Sequence, residues 1–121
     1  VKVDISARTG ELYRAGRRVG RWKVAVGRSA YPTPAGRFAI SEVVPQRNKR
    51  GFFGPAIITM TAHSERLNFF DGGDGRAALH GTNRPSLLGT AASHGCVRFS
   101  NAAIARIARS VPPGSPLDIV R

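Results

Sequence analysis

The sequence holds one cysteine, Cys96, in 121 residues, so no disulfide can close within the chain and its fold does not depend on oxidation. It has no apolar run of about 18 residues, the length a membrane-crossing helix needs. No start methionine and no leader precede the first pattern: Val1 opens directly onto the alternating stretch VKVDI. The chain is expected to be a processed or excised piece whose targeting segment has been removed. Acidic residues are scarce, 7 against 19 lysines and arginines, for a formal charge of +12. That balance favours anionic partners such as nucleic acid, acidic lipid or an acidic polymer. The basic residues are scattered from Arg8 to Arg109 instead of being blocked into a tail, and the aromatics, 7% of the chain, form no basic and aromatic stripe. A specific nucleic-acid complex is therefore not expected. A chain of this length fits one domain, residues 1–121, able to bury roughly two-thirds of the surface it exposes when unfolded.

What is present is mostly strand pattern. Val1, Val3 and Ile5 alternate with polar residues. Arg8-Thr9-Gly10 and Ala15-Gly16-Arg17 read as turns on either side of ELYR. VGRWKVAVG (19–27) reads as a third strand, with Trp22, Val24 and Val26 on a core face and Arg21, Lys23 and Ala25 on the other. GRSAYPTP (27–34) is a loop by its glycine and two prolines, whereas GRFAI (36–40), IITMT (57–61), RLNFF (66–70) and RAALH (76–80) read as strands. DGGDG (71–75) is a turn, since two aspartates without further oxygen ligands do not make a calcium loop. PQRNKRGFFGP (45–55) carries the densest basic cluster and is expected to be an exposed loop. Its Phe52 and Phe53 either cover a ligand or pin the loop to the core. One helix is expected, with Ser100 as N-cap, an apolar stripe of Ile104, Ile107, Ala108 and Val111, and a stop at Pro112-Pro113-Gly114; Leu117 and Ile119 suggest a closing strand. Strands joined by short turns, with one late helix, point to a β-dominated fold and not to alternating β/α units.

The reactive groups gather at Ser93-His94-Gly95-Cys96-Val97-Arg98-Phe99. A thiol reacts as its thiolate, and with an ordinary pKa of about 8.5 only a few per cent is ionised at neutral pH, so a catalytic cysteine needs a base or a cation beside it. His80, His94 and Arg98 are the candidates, and a helix starting near Asn101 would turn its positive end toward the same region. If residues 96 to 99 are extended, Cys96 and Arg98 share one face and Val97 and Phe99 the other. Arg98 then either tunes the thiol or grips a substrate carboxylate. Gly95 permits a sharp turn that aims the amides of His94, Gly95 and Cys96 at one oxyanion. The residues alone do not choose between His80 and His94 as base. His80 ends a strand and precedes Gly81-Thr82, whereas His63, in TAHS, reads as structural.

Together these residues resemble a known family. His80-Gly81-Thr82, paired with Ser93-His94-Gly95-Cys96-Val97-Arg98 across a glycine-containing loop and followed by Asn101, is similar to the L,D-transpeptidase catalytic domain, also called the YkuD domain. PTPAGRFAI (32–40) resembles that family's TPxGxFxI segment and VPPGSPL (111–117) its VPxGTPV tail. The resemblance implies a mainly β fold, a β-sandwich of mixed sheets with one short helix in the C-terminal half, and an active site in a cleft under a variable loop. It implies Cys96 as nucleophile and His80 as general base, with the carbonyl of Gly81 orienting the imidazole. His94, Gly95 and Cys96 are implied as the oxyanion environment, Ser93 as a hydrogen-bonding support and Arg98 as a substrate contact.

The implied reaction is acyl transfer on peptidoglycan stem peptides. Cys96 attacks the carbonyl of the third, diamino-acid residue of a tetrapeptide stem and expels the terminal D-alanine; an amine of a neighbouring stem then takes the acyl group, giving a 3→3 cross-link. With water as acceptor the protein would be an L,D-carboxypeptidase or a related amidase. The cycle requires no metal or cofactor, and a zinc site of His63, His80, His94 and Cys96 fits no common spacing. Carbapenems are expected inhibitors, and the expected location is extracytoplasmic, at a bacterial cell wall or in a periplasm. Family members usually carry an acidic residue near Ala103, so this helix start lacks a carboxylate typically worth about 0.3–1 kcal/mol.

Overall fold

Strands β1 (Lys2–Asp4), β2 (Thr9–Arg14) and β3 (Arg17–Lys23) form the expected meander, with Arg8, Ala15 and Gly16 at positive φ where the chain reverses. They belong to a computed structural model that describes residues 1–63 and 76–121; the expected strand 66–70 and turn 71–75 lie outside the described residues. There follow β4 (Val26–Gly27), β5 (Gly36–Pro45), β6 (Ala56–His63), β7 (Arg76–His80), β8 (Ala91–Ser93) and β9 (Val97–Arg98). Helix α1 (Asn101–Ser110) and β10 (Pro116–Val120) come last. Eight strands make one mixed sheet in the order β3-β2-β1-β10-β5-β6-β7-β9, while β4 and β8 form a short parallel pair. Within the large sheet β1 runs parallel to β10 and β7 parallel to β9.

The large sheet is curled, and its two edges are joined. Ala25, just beyond β3, bridges to Arg98 of β9 through two backbone hydrogen bonds of 2.9 Å. The mainly β fold with mixed sheets and one late helix is the one expected, its facing layers being walls of one curled sheet. The closure corrects the reading of residues 19–27 as one strand. β3 ends at Lys23, and Ala25, expected on the outer face with Arg21 and Lys23, is wholly buried where it changes partners. β5 also runs five residues past its expected end, to Pro45, where it pairs with Ala56 and narrows the neck of the basic loop.

Curling lets one continuous core form from distant strands: Val3, Leu12, Ile40, Met60, Leu117 and Ile119 are buried together with Ile104 and Ile107 of α1. Each contributes about 1.5–3 kcal/mol of hydrophobic stabilisation, an upper estimate because unfolded chains already bury some surface. Phe99 sits in that core, meeting Trp22 edge to face at 6.4 Å. Helix α1 starts where expected, Ser100 Oγ accepting from the Ala103 N–H at 3.1 Å, and ends with the Val111 N–H on the Ile107 carbonyl before Pro112. Ala103 itself is buried against the core. Position 103 therefore suits a small apolar side chain, and the exposed position in the first turn is Ala102. Among the described residues no helix is long and apolar enough to cross a membrane.

Candidate active site

The parallel pairing of β7 with β9 sets Leu79 beside Val97 and His80 beside Arg98. Leu79 and Val97 belong to the hydrophobic core. By strand alternation His80 and Arg98 face the opposite side, and Cys96, one residue before Val97, faces that side too. Val97 and Phe99 are core residues while Cys96 and Arg98 are not part of that cluster, which is the division expected of an extended segment.

The imidazole of His80 is held by its own chain: Nδ1 donates to the Gly81 carbonyl at 2.5 Å. A carbonyl can only accept, so Nδ1 carries the hydrogen and Nε2 is the basic nitrogen of the neutral ring. The turn after His80 is fastened by four hydrogen bonds. Phe99 donates its N–H to the His80 carbonyl at 2.8 Å and Gly81 donates to the Phe53 carbonyl at 2.8 Å. The Thr82 N–H goes to Asn101 Oδ1 at 2.9 Å, and the Arg84 N–H to Thr82 Oγ1 at 2.9 Å.

Asn101 is the positioning residue whose part the sequence reading missed, having used it only as the end of a motif. Its side chain fills the space between Gly54 and Gly81, where a Cβ on Gly81 would run into Oδ1 and lie 3.0 Å from the Gly54 Cα. An asparagine opening a helix was the available signal. Nothing in the linear sequence says that it meets an amide 19 residues earlier.

On the other side of Cys96, Ser93 Oγ donates to the Cys96 carbonyl at 2.5 Å and accepts from the Gly95 N–H at 3.1 Å. With Gly95 at φ 121°, a conformation open chiefly to glycine, this hydroxyl clamps the turn that presents the sulfur. The Gly95 amide is thereby committed to the turn. The His94 side chain is exposed and points to other partners: Arg28 Nη2 lies 2.8 Å from Nε2, and the Tyr31 ring lies 4.9 Å from the imidazole. A guanidinium can only donate, so the lone pair of His94 is engaged by Arg28. Of the two histidines that the residues alone left open, His80 and not His94 shares a strand register with the segment that follows Cys96.

The site is closed over. Cys96 and His80 are each 1% exposed. Phe53 stands edge-on to the His80 ring at 5.0 Å, and Phe52 lies 5.7 Å from the same ring with the Arg98 guanidinium 5.1 Å from its centre. The two phenylalanines thus pack, but onto the site and not into the hydrophobic core, and Phe52 stays 44% exposed. Arg98 is buried to 9% exposure. Burial pushes its guanidinium below the usual arginine range, charge on Cys96 draws it back up, and Arg84 adds to the lowering. The attraction between Arg98 and a Cys96 thiolate is mutual, so the arrangement can favour a nucleophilic sulfur. Among the described residues no group of three or more His, Cys, Asp or Glu side chains gathers as a metal site would require.

Comparison with known proteins bears on this geometry. The family model of the L,D-transpeptidase catalytic domain, YkuD, matches residues 1–119. A protein named as L,D-transpeptidase YkuD in Bacillus licheniformis is 33% identical over 119 residues, which is 98% of this chain and 64% of that protein. One of the same name in Bacillus subtilis is 31% identical over 121 residues, 100% of this chain and 65% of that protein. The chain thus spans slightly less than two-thirds of the length of these relatives. In fold it resembles L,D-transpeptidase 3 from Mycobacterium tuberculosis in complex with a faropenem-derived adduct, with a TM-score of 0.78 at 16% identity over 99% of this chain and 59% of that one. LdtMt1 in complex with imipenem gives 0.74 at 20% identity over 98% and 57%. With a family model covering nearly all of its length and relatives above 30% identity, the chain belongs to the L,D-transpeptidase catalytic domain, or YkuD, family.

Proposed function

We propose that this chain performs cysteine-dependent acyl transfer on peptidoglycan stem peptides, cutting before the terminal D-alanine of a tetrapeptide stem and forming a 3→3 cross-link. The observation that carries the reading is the β7–β9 register: it sets His80 beside Arg98 on the face of Cys96, with Nδ1 of His80 held by Gly81 so that Nε2 is the base. His80 Nε2 takes the proton of Cys96, and the thiolate attacks the carbonyl carbon of the third residue. The oxyanion forms against the backbone dipoles of the turn from His94 to Cys96, which Ser93 and Gly95 hold in shape. Collapse breaks the C–N bond; His80 returns its proton to the departing amine of D-alanine, leaving a thioester on Cys96. An amine of a second stem gives a proton to His80 and attacks the thioester, forming the new amide, and the sulfur leaves and recovers the proton. Arg98 contacts the donor substrate and steadies the thiolate.

A +12 chain suits an anionic wall polymer, and an extracytoplasmic location follows from that substrate. The β-lactam complexes of the two structural relatives support a test with a carbapenem. Intact-mass spectrometry is expected to show one adduct on Cys96, none in Cys96→Ala, and slow formation in His80→Ala. An adduct on any other residue, or one surviving in Cys96→Ala, would overturn the assignment. Incubation with tetrapeptide stems should give cross-linked dimer together with D-alanine; D-alanine without dimer would replace transfer by hydrolysis, the L,D-carboxypeptidase reaction.

A further inference from the structure

Strand β9 has a neighbour on each side. β7, with His80, pairs along one edge, and Ala25 bridges to Arg98 along the other. That bridge is antiparallel, so two residues on from Ala25 the chain at Gly27 comes level with Cys96, two residues back from Arg98. Residues 28 to 31 therefore flank the nucleophile on the side opposite His80. They are tied there by the backbone. The Arg28 N–H bonds to the Ser93 carbonyl at 3.0 Å, the Tyr31 N–H to the Arg28 carbonyl at 2.8 Å, and the Gly27 N–H to Oγ1 of the buried Thr33 at 2.8 Å.

The side chains of this flank meet in one cluster. Arg28 Nη2 lies 2.8 Å from His94 Nε2, the Tyr31 ring packs on the imidazole at 4.9 Å, and the Arg28 guanidinium lies 5.3 Å from the centre of the Tyr31 ring. A guanidinium only donates, so in the neutral His94 ring Nε2 is the acceptor and the hydrogen sits on Nδ1. Among the described residues no group accepts from Nδ1, and His94 is exposed, so this N–H is open to a ligand. The acyl-transfer steps leave this flank for one part of the substrate. His80 protonates the departing amine and takes a proton from the attacking one, so both amines pass on its side of the sulfur. At a tetrahedral carbon bonded to sulfur and nitrogen the acyl chain takes a different direction, and with the amine held toward His80 the opposite flank is the space left for it.

We propose that Tyr31 and His94 form the wall that holds the acyl part of the donor peptide, His94 Nδ1–H donating to one of its peptide carbonyls, and that Arg28 is a positioning residue that keeps His94 in this tautomer. The proposal rests on the acyl-transfer reading and adds to it the residues that select the donor. The ring faces suit the apolar side of a peptide, and a donor already fixed in place costs less to bind than one that must first be ordered.

The two halves of the reaction are measured apart. Single-turnover release of D-alanine from a tetrapeptide stem, at increasing stem concentration, reads the donor. The rate at which the thioester is then discharged, at increasing concentration of an acceptor amine, reads the acceptor. Arg28→Met and Tyr31→Leu are each expected to raise the donor concentration for half-maximal acylation by about three- to tenfold while leaving the acceptor dependence of discharge unchanged. Arg28→Lys, which keeps a donor, is expected to recover part of the loss. Nitrogen-15 shifts of the neutral His94 ring should place the hydrogen on Nδ1 in the wild type and show a move toward Nε2 in Arg28→Met. An unchanged donor dependence in either variant, an acceptor dependence that moves as much as the donor's, or a wild-type His94 carrying its hydrogen on Nε2 overturns the wall while leaving the acyl-transfer reading intact. A wild type that forms no thioester on Cys96 overturns that reading, and the wall with it.

Discussion

Replacing Asn101 by alanine should damage both stability and catalysis, and replacing it by aspartate should damage neither much. Oδ1 accepts the Thr82 N–H at 2.9 Å, and Thr82 is buried. Alanine leaves that amide without a partner, at a cost of about 1–3 kcal/mol. For a domain of this size each kcal/mol moves the unfolding midpoint by about 4 °C, so a fall of roughly 4–12 °C is expected. Aspartate keeps an acceptor oxygen and adds a carboxylate in the first turn of α1, where it is favourable. It gives up only the contact of Nδ2 with the Lys49 carbonyl, which at 3.5 Å is weak. Catalysis follows the same path: Gly81, whose carbonyl fixes the His80 ring, immediately precedes Thr82. A displaced general base lowers the acylation rate of Cys96 by about ten- to a hundredfold. Thermal unfolding and single-turnover acylation followed by mass spectrometry, on wild type and both variants, measure the two effects. Equal losses in the alanine and aspartate variants, or destabilisation by alanine with unchanged acylation, would refute the connection from Asn101 through Thr82 and Gly81 to His80.

Phe52→Ala should speed the reaction of Cys96 with neutral iodoacetamide, because the ring over Arg98 and His80 is removed, while costing under about 1.5 kcal/mol since that ring is half exposed; an unchanged rate would show that the ring does not limit access. Ala102→Glu and Ala103→Glu should shift the denaturation midpoint in opposite directions. The exposed position 102 gains about 0.3–1 kcal/mol from the helix end, whereas a carboxylate at the buried position 103 loses several kcal/mol to desolvation; shifts of the same sign would contradict the orientation of α1. Asp4 titrates below the usual aspartate range, first because the Ala7 N–H bonds to its carboxylate and next because the Ser6 hydroxyl does. A folded value below the unfolded one means that this contribution is present above the unfolded value and is lost as pH falls through the depressed one. Asp4→Asn should therefore flatten the acid limb of stability against pH, and a limb left equally steep would show that these bonds do not persist in solution.

Some features follow from neighbours in the chain. Helix α1 was readable because the spacing of Ile104, Ile107, Ala108 and Val111, the cap at Ser100 and the stop at Pro112 all act within a few residues. The division of Cys96 and Arg98 from Val97 and Phe99 is likewise a local alternation, and the family was indicated by several short motifs taken together, those around His80 and Cys96 with PTPAGRFAI and VPPGSPL. Other features depend on the path of the whole chain. That β1 lies beside β10, that β7 lies beside β9 and that Ala25 joins the two edges of a curled sheet are decided by how both walls bury their apolar residues at once, which no local window contains. A strand pattern records which face is apolar but not which strand will cover it, so the break of β3 before Ala25 left no mark on the alternation.

The same distinction holds at the site. By itself the sequence determined the chemical inventory: one thiol, two histidines near it in motif, an arginine two residues on, and a glycine where the backbone must turn. Only the tertiary structure decided that His80 faces the thiol's side of the sheet while His94 turns to Arg28, that Asn101 reaches back to Thr82, and that Phe52 comes to rest on Arg98. Bond geometry and residue type act over a few residues and are written in order along the chain. Proximity between groups far apart in that order is a product of packing, and it exists only once the sheet has closed.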